Sequence, residues 1–459
     1  MKKLLLLAVA AVTLMAGNCN PDPVPVAVTG VTIAPSGAVS VTVGSTASLT
    51  ATVAPANATN KTVTWSSLNT AVATINASNG VVRGVSAGAA TIRATAAGGV
   101  FAEKTITVTA VGTPPGGSAD NPFIIMTAAD LDNLRNNPTA HYKLGANIDL
   151  TSYLAPGGAG FSQWGAAGWM PIGNDDTPDS MRFIGGLDGA GFKITGLWID
   201  RPTTGHVGLF GYIQDATIKN LGVEIAAAGI KGWGYVGGIA GRVDRSGISN
   251  CYTTGTVSGS GHGNWVGGVA GEVIGGSISN CYATGAISGG GNVGGVAGGL
   301  LGGSISHCYA TGAVSDGGGG GVGGVAGGIL FGSVSHCYAT GAVSGRNWVG
   351  GVAGVVDTGG SVSNCVALNP SITATGGAAL GRVAGYNVGT LSHNFARSSG
   401  MTLTPSKTLV KGGDTLDGAD CAASPTPEWW TTAPTGGPGW STTHWTFTNG
   451  QLPQLRNMP

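Results

Sequence analysis

Val266-Gly267-Gly268-Val269-Ala270-Gly271, followed by Ile278-Ser279-Asn280-Cys281-Tyr282, decides how the chain is to be read. The first phrase recurs at Val236–Gly241 (with Ile239), Val293–Gly298, Val322–Gly327 and Val349–Gly354, with looser copies at Val207–Gly211 and Leu380–Gly385. Its closing glycines stand at 211, 241, 271, 298, 327, 354 and 385, a period of 27 to 31 residues. The second phrase recurs at 248–252, 305–309 and 334–338. Periods of this length mark stacked supersecondary units, each covering the open face of the one before.

No helical pattern runs through the unit. Each copy reads as three short β-type runs, Val-Gly-Gly-Val-Ala-Gly, Ile-Ser-Asn-Cys-Tyr-Ala and Gly-Ala-Val-Ser, punctuated by Gly or Asn. Three runs and three corners per period make one coil of a parallel β-solenoid. One column places a corner: Gly196, Asn220, Asn250, Asn280, His307, His336, Asn364 and His393 occupy equivalent positions. Gly, Asn and His share little beyond tolerance of positive φ, so this column is expected in the left-handed region. The next position, Leu197, Leu221, Cys251, Cys281, Cys308, Cys337 and Cys365, is an apolar stack expected to point inward.

These phrases resemble the GLUG-motif repeats of bacterial surface proteins over about 190 residues. The resemblance implies a right-handed β-helix on an exported, adhesin-like protein; it does not imply an enzymatic activity. Residues 28–110 are different: seven short alternating runs separated by turn signals suggest an antiparallel sandwich. Val63-Thr64-Trp65-Ser66-Ser67 and Gly80-Val81-Val82-Arg83-Gly84-Val85-Ser86-Ala87-Gly88 are similar to the bacterial immunoglobulin-like domain, group 2. That stretch has no cysteine, so packing around Trp65 must hold it. Such domains usually act as spacers.

The chain is all-β on this reading: an N-terminal immunoglobulin-like β-sandwich, then a right-handed parallel β-helix with a short capping helix. Residues 1–19 read as a signal peptide, from Lys2 and Lys3 and the apolar run Leu4 to Leu14. Met15-Ala16-Gly17-Asn18-Cys19 resembles a relaxed lipobox and makes Cys19 the expected lipidation site; ordinary cleavage near Ala16 or Gly17 is the alternative. Residues 20–27 are a Pro-rich tether and 111–119 a linker. The β-helix spans 120–400, with core repeats at 207–397, and 401–459 forms a C-terminal cap. Thr127 is the expected N-cap of a helix burying Leu131 and Leu134 over the first coil. Trp429, Trp430, Trp440 and Trp445 suit a lid over the last coil.

Charged residues are only 9% of the 459, and 21 basic residues balance 21 acidic ones. That argues against a nucleic-acid partner, which needs a basic face, and against electrostatic membrane binding, so a membrane is expected only through the lipid anchor. Glycoside cleavage needs paired carboxyl groups. Between Ser246 and Gly345 only Glu272 and Asp316 are charged, at different places in their repeats, so no catalytic residue is assigned. GLUG repeats also occur in immunoglobulin A-cleaving metallopeptidases, whose zinc site is His-Glu-x-x-His; the histidines at 141, 206, 262, 307, 336, 393 and 444 include no such pair. No metal and no cofactor are called for. The loop with Asp175, Asp176 and Asp179 reads as a calcium site or as a solvated turn. Coil spacing alone admits disulfides between repeat cysteines. An odd number of them replacing leucine in an inward column points instead to free, buried thiols.

One position after the cysteine, Tyr252, Tyr282, Tyr309 and Tyr338 should point outward by strand alternation. They are the candidate ligand-binding residues, for a surface glycan or an extracellular protein; a self-stacking structural ladder is the alternative. The reading is a non-enzymatic, cell-surface, adhesin-like protein, lipid-anchored or else secreted. A carbohydrate-active β-helix with its site near the caps is the runner-up.

Overall fold

The computed structural model describes residues 24–109, 116–173, 182–376, 379–432 and 436–459. Cys19, the leader and the acidic loop at Asp175, Asp176 and Asp179 lie outside the described residues. The chain divides into two compact units, Met1–Pro115 and Gly116–Pro459.

In the first unit, Val39–Thr42, Phe101–Thr109, Gly88–Ala96 and Val63–Ser67 form one sheet, packed against Thr46–Ser48, Val81–Gly84 and Ala73–Ile75. Trp65 lies at the centre with Leu49, Val82, Ile92 and Ile106, all buried. Gly80 is left-handed (φ 72°), and an added Cβ would meet the Leu49 carbonyl and come within 3.1 Å of the Trp65 ring, so only glycine fits that turn. A strand absent from the sequence reading, Gly30–Ala34, pairs antiparallel with Thr50–Ala54; Pro35 directly after it reads as a turn.

The second unit is a parallel β-solenoid with three faces. In chain order a coil runs through an Ala strand (Ala240–Asp244 and its equivalents), a Ser strand (Gly247–Ser249) and a longer Tyr-face segment opening at Tyr252. Among the described residues the Ala face has seven strands, the Ser face ten and the Tyr face twenty. Register is kept from coil to coil: Ile248 lies on Ile278, Ile278 on Ile305 and Ile305 on Val334. Ala240, Ala270 and Ala297 align likewise. Because identical positions stack, the inward side chains of successive coils build a continuous core from Ile125 to Ala396.

Every member of the corner column is left-handed, with φ of 73° at Gly196 and between 50° and 54° at Asn220, Asn250, Asn280, His307, His336, Asn364 and His393. The inward column after it is fully buried from Leu197 to Cys365. The two repeated phrases are corners more than strands, which corrects the three-run reading. Val266-Gly267 closes the Tyr face and Ala270-Gly271 opens the Ala face, so the chain bends at Gly268-Val269. A Cβ on Gly268 would collide with the Ala283 side chain and the Gly295 carbonyl. Glycine recurs there because backbone passes close over backbone.

At the N-terminal end, Ala128–Asp132 is helical, with a capping box between Thr127 and Asp130. Leu131 and Leu134 are buried over the first coil. At the other end Thr402–Thr404 and Ala419–Cys421 add a partial coil to the Tyr face. Buried Arg382 donates from Nε to the Asp417 carbonyl (2.9 Å) and from Nη1 to Asp420 (2.8 Å). The tryptophans do not lie over the last coil. Pro427–Thr431 and the strands at Trp445–Thr446 and Gln454–Leu455 fold back along the side of the solenoid, where their rings find an existing apolar column.

Candidate functional site

That apolar column is the tyrosine row. Tyr252, Tyr282, Tyr309 and Tyr338 are paired in register and stack face to face at 5.0, 4.8 and 4.9 Å, within 7° of parallel. The row does not stand open. Tyr338 is 2% exposed beneath Trp430, Trp440 and Trp445, and its hydroxyl donates to the Pro453 carbonyl at 2.8 Å. Tyr252 is 7% exposed and donates to Glu224 at 3.3 Å. Burial pushes the Tyr252 hydroxyl up to about 12 and those of Tyr309 and Tyr338 up as well. Only Tyr282 and Tyr309 are half-exposed: the rings stack as a ladder, and the C-terminal segment packs against Tyr282, Tyr309 and Tyr338.

The segment is fastened through the corner column. His444 stacks on His307 at 3.8 Å, His307 stacks on His336 at 5.0 Å, and His444 Nδ1 lies 2.9 Å from Asn280 Oδ1. Trp440 Nε1 donates to the Asn364 carbonyl at 2.8 Å. Burial, with the neighbouring imidazoles, lowers His307 from 6.5 to about 4; His336 is lowered for the same reasons.

The cysteines at 251, 281, 308, 337, 365 and 421 are free and buried. Each repeat thiol donates to the carbonyl two residues before it, as Cys308 does to Ser306 at 3.1 Å, and burial pushes Cys251, Cys281 and Cys337 well above the usual thiol range. They form a core stack with no access for chemistry. Among the described residues no three His, Cys, Asp or Glu side chains come together to hold a metal.

The outer side of the Ala face carries what the sequence reading missed. The residue before each Val-Gly-Gly phrase is His206, Tyr235, Trp265, Asn292, Gly321, Trp348 or Ala379. Beside it runs a second outward column, Tyr212, Arg242, Glu272, Gly299, Gly328, Val355 and Tyr386. At the N-terminal end these columns interlock. His206 stacks on Tyr235 at 5.0 Å, Arg242 lies over Tyr212 and 3.3 Å from Glu272, and Asp244 accepts from Tyr212 and Arg245 at 3.0 Å each. Burial raises the Glu272 carboxyl, opposed by Arg242.

Further along, Gly328 with Leu300, Leu301, Ile329, Leu330 and Val355 lines an open, mainly apolar cleft of about 300 Å³. Trp265 closes one end, lying over Gly299, where a Cβ would stand 2.7 Å from its ring. Trp348 and Tyr386 close the other, 6.1 Å apart and both well exposed. Asn292 accepts from the Gly321 amide at 2.8 Å, which turns its Nδ2 towards Gly328. Asp357 stands at the rim. Trp348 is left-handed (φ 44°), a strained conformation for a bulky residue, and alone in its column among the described residues. The variable residue before an invariant-looking phrase was the available signal.

These features define a repeat-built β-solenoid joined to an immunoglobulin-like domain. Residues 27–108 match the bacterial Ig-like domain (group 2), and residues 263–288 and 289–315 match the GLUG motif; the chain carries both. It is 42% identical over 108 residues, 23% of its length, to a protein provisionally named a Gly-rich membrane protein from Evansella cellulosilytica. It is 36% identical over 162 residues, 34% of its length, to halomucin of Haloquadratum walsbyi. The matched stretches span only 11% and 2% of those relatives. Among solved structures it is similar to a Bacteroides ovatus protein provisionally titled an immunoglobulin A1 protease, at 20% identity and a TM-score of 0.46, covering 75% of this chain and 94% of that one.

Proposed function

We propose that this chain is a non-enzymatic binding module of the bacterial cell surface, in which the immunoglobulin-like domain is a spacer and the solenoid presents the ligand site. The observation that carries this reading is the cleft between Trp265 and Trp348, where the exposed rings of Trp348 and Tyr386 border a mainly apolar floor. The names of the relatives, a membrane protein and a halomucin, support a place outside the cell. Anchoring would come from lipid on Cys19. The ligand is a surface glycan or an extracellular protein.

The full chain incubated with an array of glycans and matrix proteins should be retained by at least one class. The same polysaccharides should show no new reducing ends. Retention by none of them would sink the reading.

A polysaccharide-cleaving activity is favoured by one observation, the buried Glu272 with its raised carboxyl. Its pairing with Arg242, and that of Asp244 with Tyr212 and Arg245, argues for structure over acid catalysis. Release of reducing ends that disappears in Glu272→Gln would reverse that choice.

A further inference from the structure

We infer that the cleft between Trp265 and the Trp348–Tyr386 pair is a saccharide site that takes a neutral pyranose unit of a polysaccharide. The inference rests on the binding reading above and names its ligand. Two features point to sugar. The end walls are indole and phenol rings, whose faces suit the C–H face of a pyranose. The second is a pair of polar side chains, Asn292 and Asp357, among the residues that line the cleft. Its volume of about 300 Å³ is at the small end of ligand sites.

Polar groups are few and oriented. With Asn292 Oδ1 committed to the Gly321 amide, Nδ2 is a fixed donor over the floor at Gly328. Asp357 already accepts from the Thr358 amide at 2.7 Å and offers its remaining acceptor capacity to hydroxyl groups. A donor, an acceptor and two ring faces match a polyol. The Asp357 carboxylate, with no cation among the cleft's lining residues, selects against uronic and sialic acids. The strained backbone at Trp348 is consistent with a ring held in place for contact, since Gly would relieve that φ.

Affinity electrophoresis of the full chain through gels containing β-glucan, α-mannan, galactan or polygalacturonate tests this directly. At least one neutral polymer should retard the chain, and polygalacturonate should not. Trp348→Gly keeps the left-handed turn without strain, so its fold is retained; it and Trp265→Ala should each weaken retardation about tenfold. Phe331→Ala, exposed at a neighbouring corner and outside the cleft, should leave it unchanged. Equal retardation of wild type and both cleft variants would overturn the site and leave the binding reading standing. Retardation by polygalacturonate alone would overturn the choice of a neutral sugar. Capture by a matrix protein that is lost in Trp348→Gly would replace sugar with protein as the ligand. No retention by any polymer or matrix protein would overturn site and binding reading together.

Discussion

At the scale of single residues, the corner and the thiol beside it carry the coil. Asn or His at φ near 50° turns the chain, and the following cysteine fills the core behind it. Cys281 and Cys308 donate their backbone amides to the next coil's sulfur at 3.4 and 3.3 Å, and Asn394 ends the column by accepting from Cys365 at 3.0 Å. Cys308→Ala should therefore cost about 1 kcal/mol, through a small void and the loss of a weak sulfur acceptor for the Cys281 amide. Cys308→Asp places an uncompensated carboxylate there and should cost on the order of several kcal/mol. Urea melts of the two variants separate these outcomes; similar midpoints would mean the column is wetter than its burial indicates. This column was legible without coordinates, because Gly, Asn and His share one backbone tolerance and Leu and Cys share one need for burial. The cleft was not, because its lining comes from successive coils at positions that share no repeated residue type, and Gly328 looks like any other glycine in a chain with 85 of them.

At the scale of elements, the C-terminal segment is a side cover held by stacked rings. Four tryptophans predict a lid but not its place; the tyrosine row decides that, as an apolar outer column against which their rings pack. Tyr282→Ala combined with Tyr309→Ala should lower the thermal midpoint by several degrees, about what the loss of three stacked pairs implies. An unchanged midpoint would show that the rings are not packed as a ladder. The imidazole stack makes the cover sensitive to acid. His307 has a folded value of about 4 against 6.5 unfolded, so the folded protein resists protonation there. The stability this contributes is complete above pH 6.5 and is lost as pH falls towards 4, because the unfolded chain takes up the proton first. Thermal midpoints between pH 7.5 and 4 should fall more steeply in the wild type than in His307→Asn with His336→Asn, which keeps residues this corner already accepts. Equal slopes would assign the acid sensitivity elsewhere.

At the scale of the whole molecule, two consequences follow from how the units are built. If Cys19 carries lipid, the purified protein will show a mature N-terminus at Cys19 with acyl mass; a soluble chain starting at Gly17 or Asn18 would make it a secreted protein. The solenoid itself behaves as a stack in which each coil contacts only its neighbours. Gly247 pairs with Ser277 and Ile248 with Ile278, so joining Ser246 to Ser277 removes residues 247–276, one complete coil, and leaves every later position in register. The deletion lies before Asn280, the first corner the C-terminal segment touches, so the side cover keeps its partners. It also takes out Trp265 and Glu272. The shortened chain should fold cooperatively, with a smaller denaturant m-value because less surface is exposed on unfolding. It should lose saccharide retardation along with Trp265. Deleting only 247–261 should abolish folding instead, since half a coil turns inward columns outward. A shortened 247–276 deletion that aggregates would mean the coils are not interchangeable, and that the interlocked Arg242, Glu272 and Tyr235 group is needed to start the stack.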